Sequence, residues 1–300
     1  INSNFLANYT RSNNGVANEK SHNFTLKYRG DIKLATWMDL TMGFNLKSTR
    51  NKSHLGDTYS DINAFLPYAS MYNPDGSLAR MEADIDLNNQ VFTNNKQLKD
   101  NSYNLIDEMG MNFYNSRATN LRGYVHTLFR LLPGWTAQMQ FQYEDISSKG
   151  EGIYEANSYF VRNLQNLYTS EDGVCHIPDG AIKTIDIHNG DYYTLRTQTQ
   201  YKNKFWKKHD IDVLAGMEYR ETRYKGENNV LYGFDTQTLN NQQFLTDWSY
   251  INSPEGSILG ENYTVYGAPK NVSSTDVLHR YYSIYFTGNY MYDNRYALSG

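Results

Sequence analysis

Cys175 and His176 adjoin in the segment DGVCHIPDG, with Asp172 and Asp179 close by. A thiol, an imidazole and two carboxylates so near in sequence could form a thiolate nucleophile or a metal site. The segment also carries the Asp179-Gly180 step, and Asp75-Gly76 recurs elsewhere; both pairs favour tight turns, and a turn is the preferred reading. The seven histidines never take the paired spacing that places two ligands on one helix face. A glycoside hydrolase needs two carboxylates converging at a set separation, and the 32 acidic residues show no such convergence in sequence. No catalytic residue, metal site or cofactor is therefore assigned. Two further sets remain. Aromatic residues crowd the irregular segments, and Tyr68, Tyr72, Tyr232, Phe234, Trp248 and Tyr250 are the candidate ligand contacts, since aromatic faces suit the CH-rich face of a sugar. Against that stands loop self-packing, or contact with a covering subunit. The second set is a series of charges on one face of regularly alternating segments.

Those segments have a period of two. Residues 24–34 place Phe24, Leu26, Tyr28, Ile32 and Leu34 on one face, with Lys27, Arg29, Asp31 and Lys33 on the other. The pattern returns at 38–46, 121–131, 135–143, 193–201, 211–219 and 282–290, with partial segments at 3–10 and 295–300. The apolar faces carry no charge. The opposite faces carry ten: Lys27, Arg29, Asp31, Lys33, Asp39, Arg122, Arg130, Arg196, Asp212 and Glu218. The chain is thus predicted to be all-β and antiparallel.

Composition agrees and narrows the class. Mean hydropathy is -0.71 and no apolar run reaches the ~18 residues of a membrane helix. Aromatics make up 15% of the chain, too many for a disordered segment. A net charge of -4 gives no electrostatic case for nucleic acid. The single cysteine excludes an internal disulfide framework.

Length, aromatic placement and loop asymmetry favour lipid over a soluble core. Eleven residues at ~3.3 Å, tilted by ~40°, rise roughly 25 Å, the height of an outer-membrane apolar band. Trp37, Trp135, Phe205, Trp206 and Tyr296 lie at short turns, where rings with a polar tip mark a membrane boundary. Short connections at 35–37, 132–134, 202–210 and 292–295 alternate with longer ones at 11–22, 48–118, 145–191 and 221–280. Antiparallel neighbours then put all tight turns on one rim and all large loops on the other. A one-residue slip of segment 24–34 would turn four charges towards lipid, at a cost on the order of 10 kcal/mol. The inner charges either meet solute or form a solvated network along the lumen wall. About nine strands ending within an apparent strand lead to the expectation of a partial barrel, with further strands beyond Gly300.

The order of segments resembles a known family. NFTLKYRGDIKLATWMDLTMGFNL is similar to an early hairpin of the SusC/RagA family of TonB-dependent outer-membrane transporters. PYASMYNPDGSLAR resembles a loop segment of that family, and NLRGYVHTLFRLLPGWTAQMQFQYE its next hairpin. YYTLRTQTQYKNKFWKKHDIDVLAGMEYRET and RYYSIYFTGNYMYDNRYALSG are the most specific matches. The resemblance implies a 22-stranded barrel with an internal plug, a TonB-interacting segment and a SusD-like surface lipoprotein as lid. It also implies import of oligosaccharides or peptides across a bacterial outer membrane. A plug and TonB box are expected upstream of residues 1–300. The near-neutral charge balance ranks a neutral glycan first as cargo and a peptide second. Other readings are a passive or adhesive barrel, and a soluble all-β carbohydrate-binding or hydrolytic protein.

Overall fold

A computed structural model describes residues 1–13, 15, 18–55, 70–80, 97–260, 265, 267–270 and 272–300. Nine strands follow one another: β1 Asn2–Ser12, β2 Lys20–Ala35, β3 Met38–His54, β4 Phe113–Leu132, β5 Trp135–Tyr154, β6 Ala181–Phe205, β7 His209–Phe234, β8 Ser273–Tyr292 and β9 Tyr296–Ser299. They form one sheet in sequence order, every neighbour antiparallel. Among the described residues three short α-helices, α1 Leu105–Glu108, α2 Tyr159–Leu167 and α3 Trp248–Asn252, lie in the long connections.

Each of the seven alternating segments lies within a strand, and the ladders keep their faces together. One line of direct partners runs Gly30, Met42, Val125, Phe141, Leu195, Tyr219, Tyr282 from β2 to β8. No core covers this face: Val125, Phe141, Tyr219 and Tyr282 are all exposed. In a water-soluble protein such a wide apolar sheet face would be covered. A sheet whose outward face contacts lipid needs no cover.

The register also gives the strand tilt. The outward apolar face ends at Phe24 on β2, but the partner of Phe24 is Ser48, and the β3 face already ends at Leu46. Leu46 and Leu121 are level, yet Leu121 pairs with Asp145 while the β5 face ends at Tyr143. Tyr143 and Tyr193 are level; Tyr193 pairs with Glu221 while the β7 face ends at Tyr219, level with Tyr282. The edge of the apolar face thus steps two residues towards the short turns at every second strand, or one residue per strand. A slip of ~3.3 Å per ~4.8 Å of lateral spacing is a tilt of about 35°, the inclination that closes a barrel.

The strands run further than the alternation does. β6 spans 25 residues and β7 spans 26, where alternation marks only 193–201 and 211–219. Beyond the apolar band both faces meet water or loops, so period-two patterning is no longer imposed although pairing continues. The long connections shrink accordingly to 55–112, 155–180 and 235–272.

The short turns share one rim and are knitted along it. Backbone amides of Arg130, Lys202 and Asp293 donate to carbonyls of Trp37, Gly134 and Lys208 at 2.7–2.8 Å. Trp37, Trp135, Trp206 and Tyr296 are exposed around it. The packed hydrophobic core sits at the opposite end, where Val161 and Leu164 of α2 meet Ile182, Val230, Tyr232 and Ile251. Trp37 and Trp248 therefore lie at opposite ends of the sheet, as the alternation of short and long connections requires.

Candidate functional site

The inner face is polar and largely self-satisfied. Arg29 pairs with Asp31 at 3.2 Å, and the Thr41 hydroxyl donates to the same carboxylate at 2.6 Å. Arg130 pairs with Asp39, and Arg220 with Glu218 at 2.8 Å. Arg196 donates to the Tyr285 hydroxyl at 2.9 Å, which donates to Gln198 at 3.0 Å; Gln198 in turn donates to Gln138 at 3.0 Å. This chain of bonds crosses from β5 to β8. Lys27, Lys33, Arg122 and Arg196 make no ion pair among the described residues; Arg196 is held by the Tyr285 hydroxyl and ring, which leaves Lys27, Lys33 and Arg122 as the least engaged inner charges.

Aromatic rings lie flat on this wall because glycine sits beneath them. Tyr285 covers Gly216, its direct partner, and Tyr124 covers Gly43 in the same way. Both rings broaden the hydrogen-bonding wall without reaching far into the space beside it.

The outer loops use most of their aromatics for packing. Tyr68 lies outside the described residues. Tyr72 is 51% exposed, in a bridge with Leu78 closed by a turn from Asn73 to Gly76. Tyr232 is 0% exposed, and its hydroxyl donates to the Pro269 carbonyl at 2.7 Å. Burial pushes the Tyr232 phenol well above its ordinary pKa. Its ring meets Trp248 edge-on at 5.6 Å. Phe234 is 4% exposed, below the Lys183 ammonium. Burial thus removes Tyr232 and Phe234 from the solvent-facing set; both sit at the end of β7 rather than in a free loop.

Tyr250 stacks on His176 with centroids 3.6 Å apart and planes 4° from parallel. His176 Nδ1 lies 2.8 Å from Asp247 Oδ2, and its Nε2 lies 3.1 Å from Ser170 Oγ. The Tyr250 amide capping it, then the imidazole beside it, hold the Asp247 carboxyl below the usual range. Serine, histidine and aspartate thus stand in the order of an acyl-transfer triad. However, Ser170 Oγ also bonds the Asp172 carboxylate and lies 3.1 Å from the Val174 carbonyl. One hydroxyl proton shared among these acceptors braces the 170–174 turn. The arrangement staples the β5–β6 connection to the β7–β8 connection. No sequence signal pointed to it, because Asp247 is 71 residues from His176. Cys175 is exposed as a residue, but its sulfur lies 3.2 Å from the Ile177 carbonyl, and burial raises the thiol pKa. Among the described residues no three His, Cys, Asp or Glu side chains gather as a metal site.

A single tilted antiparallel sheet, with an apolar outward face, a polar inner face, tight turns on one rim and large loops on the other, is part of a transmembrane β-barrel. Solved outer-membrane transporter barrels share this fold. The RagAB peptide transporter matches over 94% of this chain and 27% of its own, with TM-score 0.58 and 12% identity. The RagAB peptide importer in its closed-closed state gives 0.62 at 12% identity, again over 94% of this chain and 27% of its own. Its open-open state gives 0.60 at 11% identity, over 92% of this chain and 26% of its own. The chain therefore spans about a quarter of the length of these proteins. No protein-family model matches, and no curated protein matches.

Proposed function

We propose that this chain is part of the barrel of an outer-membrane importer of oligomeric nutrients, energised through TonB and lidded by a SusD-like surface lipoprotein. The observation that carries this reading is the uncovered apolar line from Gly30 to Tyr282, backed by a charged inner face in a tilted register. Its role is transport rather than catalysis. The stapled loop assembly around Tyr232 and His176 forms part of the outer vestibule, and Tyr72 is its best-placed aromatic for a ligand. Lys27, Lys33 and Arg122 are the inner charges best placed to meet a solute or a plug. The near-neutral composition supports a glycan as cargo, while the likeness to peptide transporters supports a peptide.

The test uses the full-length protein in its own cells. Heat-modifiable migration of a band in the outer-membrane fraction, and uptake of an oligosaccharide or peptide library that stops when TonB is deleted, is the expected result. TonB-independent uptake would leave a passive barrel. Recovery as a folded protein without detergent would overturn the membrane reading.

A further inference from the structure

Beyond the apolar band, six basic side chains gather on the outward face of β2–β5, against the two acidic ones Asp145 and Glu151 on β5. Lys20 and His22 on β2, Arg50 and Lys52 on β3, Arg117 on β4 and Lys149 on β5 all project from the side that carries Phe24, Leu46 and Leu121 lower down. His22, Arg50, Arg117 and Lys149 are successive direct partners in one ladder line. Lys20, Arg50, Arg117 and Lys149 are exposed, and the six line a shallow groove of about 420 Å³ in which Glu151 is the one acidic side chain.

The neutralisation of this patch is incomplete. Lys149 reaches Glu151 at 2.7 Å, Lys52 lies 3.6 Å above the Phe113 ring, and His22 bonds the Tyr9 hydroxyl at 2.7 Å. Arg50 and Arg117 make no ion pair among the described residues, although they face each other directly across the β3–β4 ladder. Like charges in direct opposition destabilise a sheet. A bridging anion would reverse that cost, because guanidinium groups bind phosphate through charge-assisted bonds. The contrast on β7–β8 is informative. There the outward charges just beyond the band neutralise one another, Arg223 with Asp276 at 2.7 Å and Arg280 with Glu221 at 2.8 Å. The same face is thus internally balanced on one side and left open for an anion on the other.

Height identifies the anion. His22 is two residues past Phe24, and Arg117 four past Leu121. At ~3.3 Å per residue and ~40° tilt these stand about 5 and 10 Å beyond the apolar band. The polar zone flanking a bilayer core is roughly 5–7 Å deep on each side, and long basic side chains can bend back towards it. We infer that the β2–β5 outward patch is a binding site for the phosphate-bearing headgroups of outer-leaflet lipid. This rests on the membrane-barrel reading above. The site fixes the barrel against one lipid on one side of its circumference, at the rim that carries the recognition loops.

The test compares the full-length protein with its Arg50→Ala/Arg117→Ala/Lys149→Ala variant, both in neutral detergent. The probes are diphosphoryl lipid A, the same lipid A without phosphates, and inorganic phosphate. Each basic residue near an anionic surface contributes roughly fivefold, so the triple variant should bind diphosphoryl lipid A about a hundredfold more weakly. Binding of the dephosphorylated lipid should be unchanged, and Arg50→Lys/Arg117→Lys should retain most of the affinity. Equal binding of both lipids by the wild type, or wild-type affinity in the triple variant, would overturn the site. Inorganic phosphate binding as tightly as the lipid would overturn the lipid as ligand. Heat-modifiable migration is measured in parallel. If the wild type lacks it, the membrane reading itself fails; if both proteins keep it while lipid binding ignores the substitutions, only this site fails.

Discussion

The ring of Tyr124 lies across Gly43, its direct partner on β3, where an added Cβ would stand 2.7 Å from the Tyr124 hydroxyl and 2.5 Å from the Tyr28 carbonyl oxygen. Gly123, one residue before Tyr124 and on the outward face, has open space instead. Gly43→Ala should therefore destabilise the barrel by about 1–3 kcal/mol through overpacking. Gly123→Ala should be neutral or stabilise by up to ~1 kcal/mol through the unfolded chain. Urea unfolding of the barrel in lipid vesicles compares them, and equal losses would mean that the ring does not rest on Gly43.

The two sheet faces predict opposite responses to charge. Leu40→Arg or Val125→Arg places a cation in lipid and should cost about 2–4 kcal/mol near the midplane. Asn45→Arg should cost less, because Asn45 lies on the polar face; its direct partners Lys27 and Arg122 add only a like-charge cost of up to about 1 kcal/mol each. The same unfolding assay reads both, and similar losses would contradict the assigned faces.

Sidedness can be read in whole cells. In a Cys175→Ser background, Asp75→Cys lies in a long connection and Lys207→Cys in a short turn. A membrane-impermeant maleimide should label the first in intact cells and the second only after permeabilisation. Labelling of both in intact cells would break the one-rim arrangement.

Tyr232 and Tyr72 separate packing from recognition. Truncating the buried Tyr232 to Ala should cost roughly 3–5 kcal/mol by opening a cavity, and Tyr232→Phe about 1 kcal/mol for the lost bond to Pro269. Tyr72→Ala should leave stability within about 0.5 kcal/mol while lowering uptake. If Tyr72→Ala takes up substrate normally, Tyr72 is no ligand contact.

The His176–Asp247 staple makes the outer loops sensitive to acid. Hydrogen bonds lower the Asp247 pKa in the folded loops, so its contribution is present above the unfolded value of ~3.9 and is lost as pH falls through the lower folded value. Limited proteolysis of the 170–176 and 247–256 segments should accelerate below about pH 4 in the wild type. It should be fast already at pH 7 in Asp247→Ala. A variant as resistant as wild type at both values would show that the staple does not hold the loops.

Within the apolar band the division of the sheet into two faces is legible in the sequence, because lipid on one side and water on the other force every second residue into a separate class. Leu40, Val125 and Ile284 announced the outward face, and Arg29, Arg130 and Glu218 the inner one. The same pressure made the alternation of short and long connections readable. Above the apolar band the pressure ends, so the extension of β6 back to Ala181 and of β7 on to Phe234 left no periodic trace. Tyr232 and Phe234 accordingly read as loop aromatics, and only strand pairing and burial revealed them as core, Tyr232 being packed against α2 and α3. The joining of His176 to Asp247 and the opposition of Arg50 to Arg117 depend on ladder register and loop closure. Such meetings between distant segments are set by the whole sheet, and no local pattern of residue types encodes them.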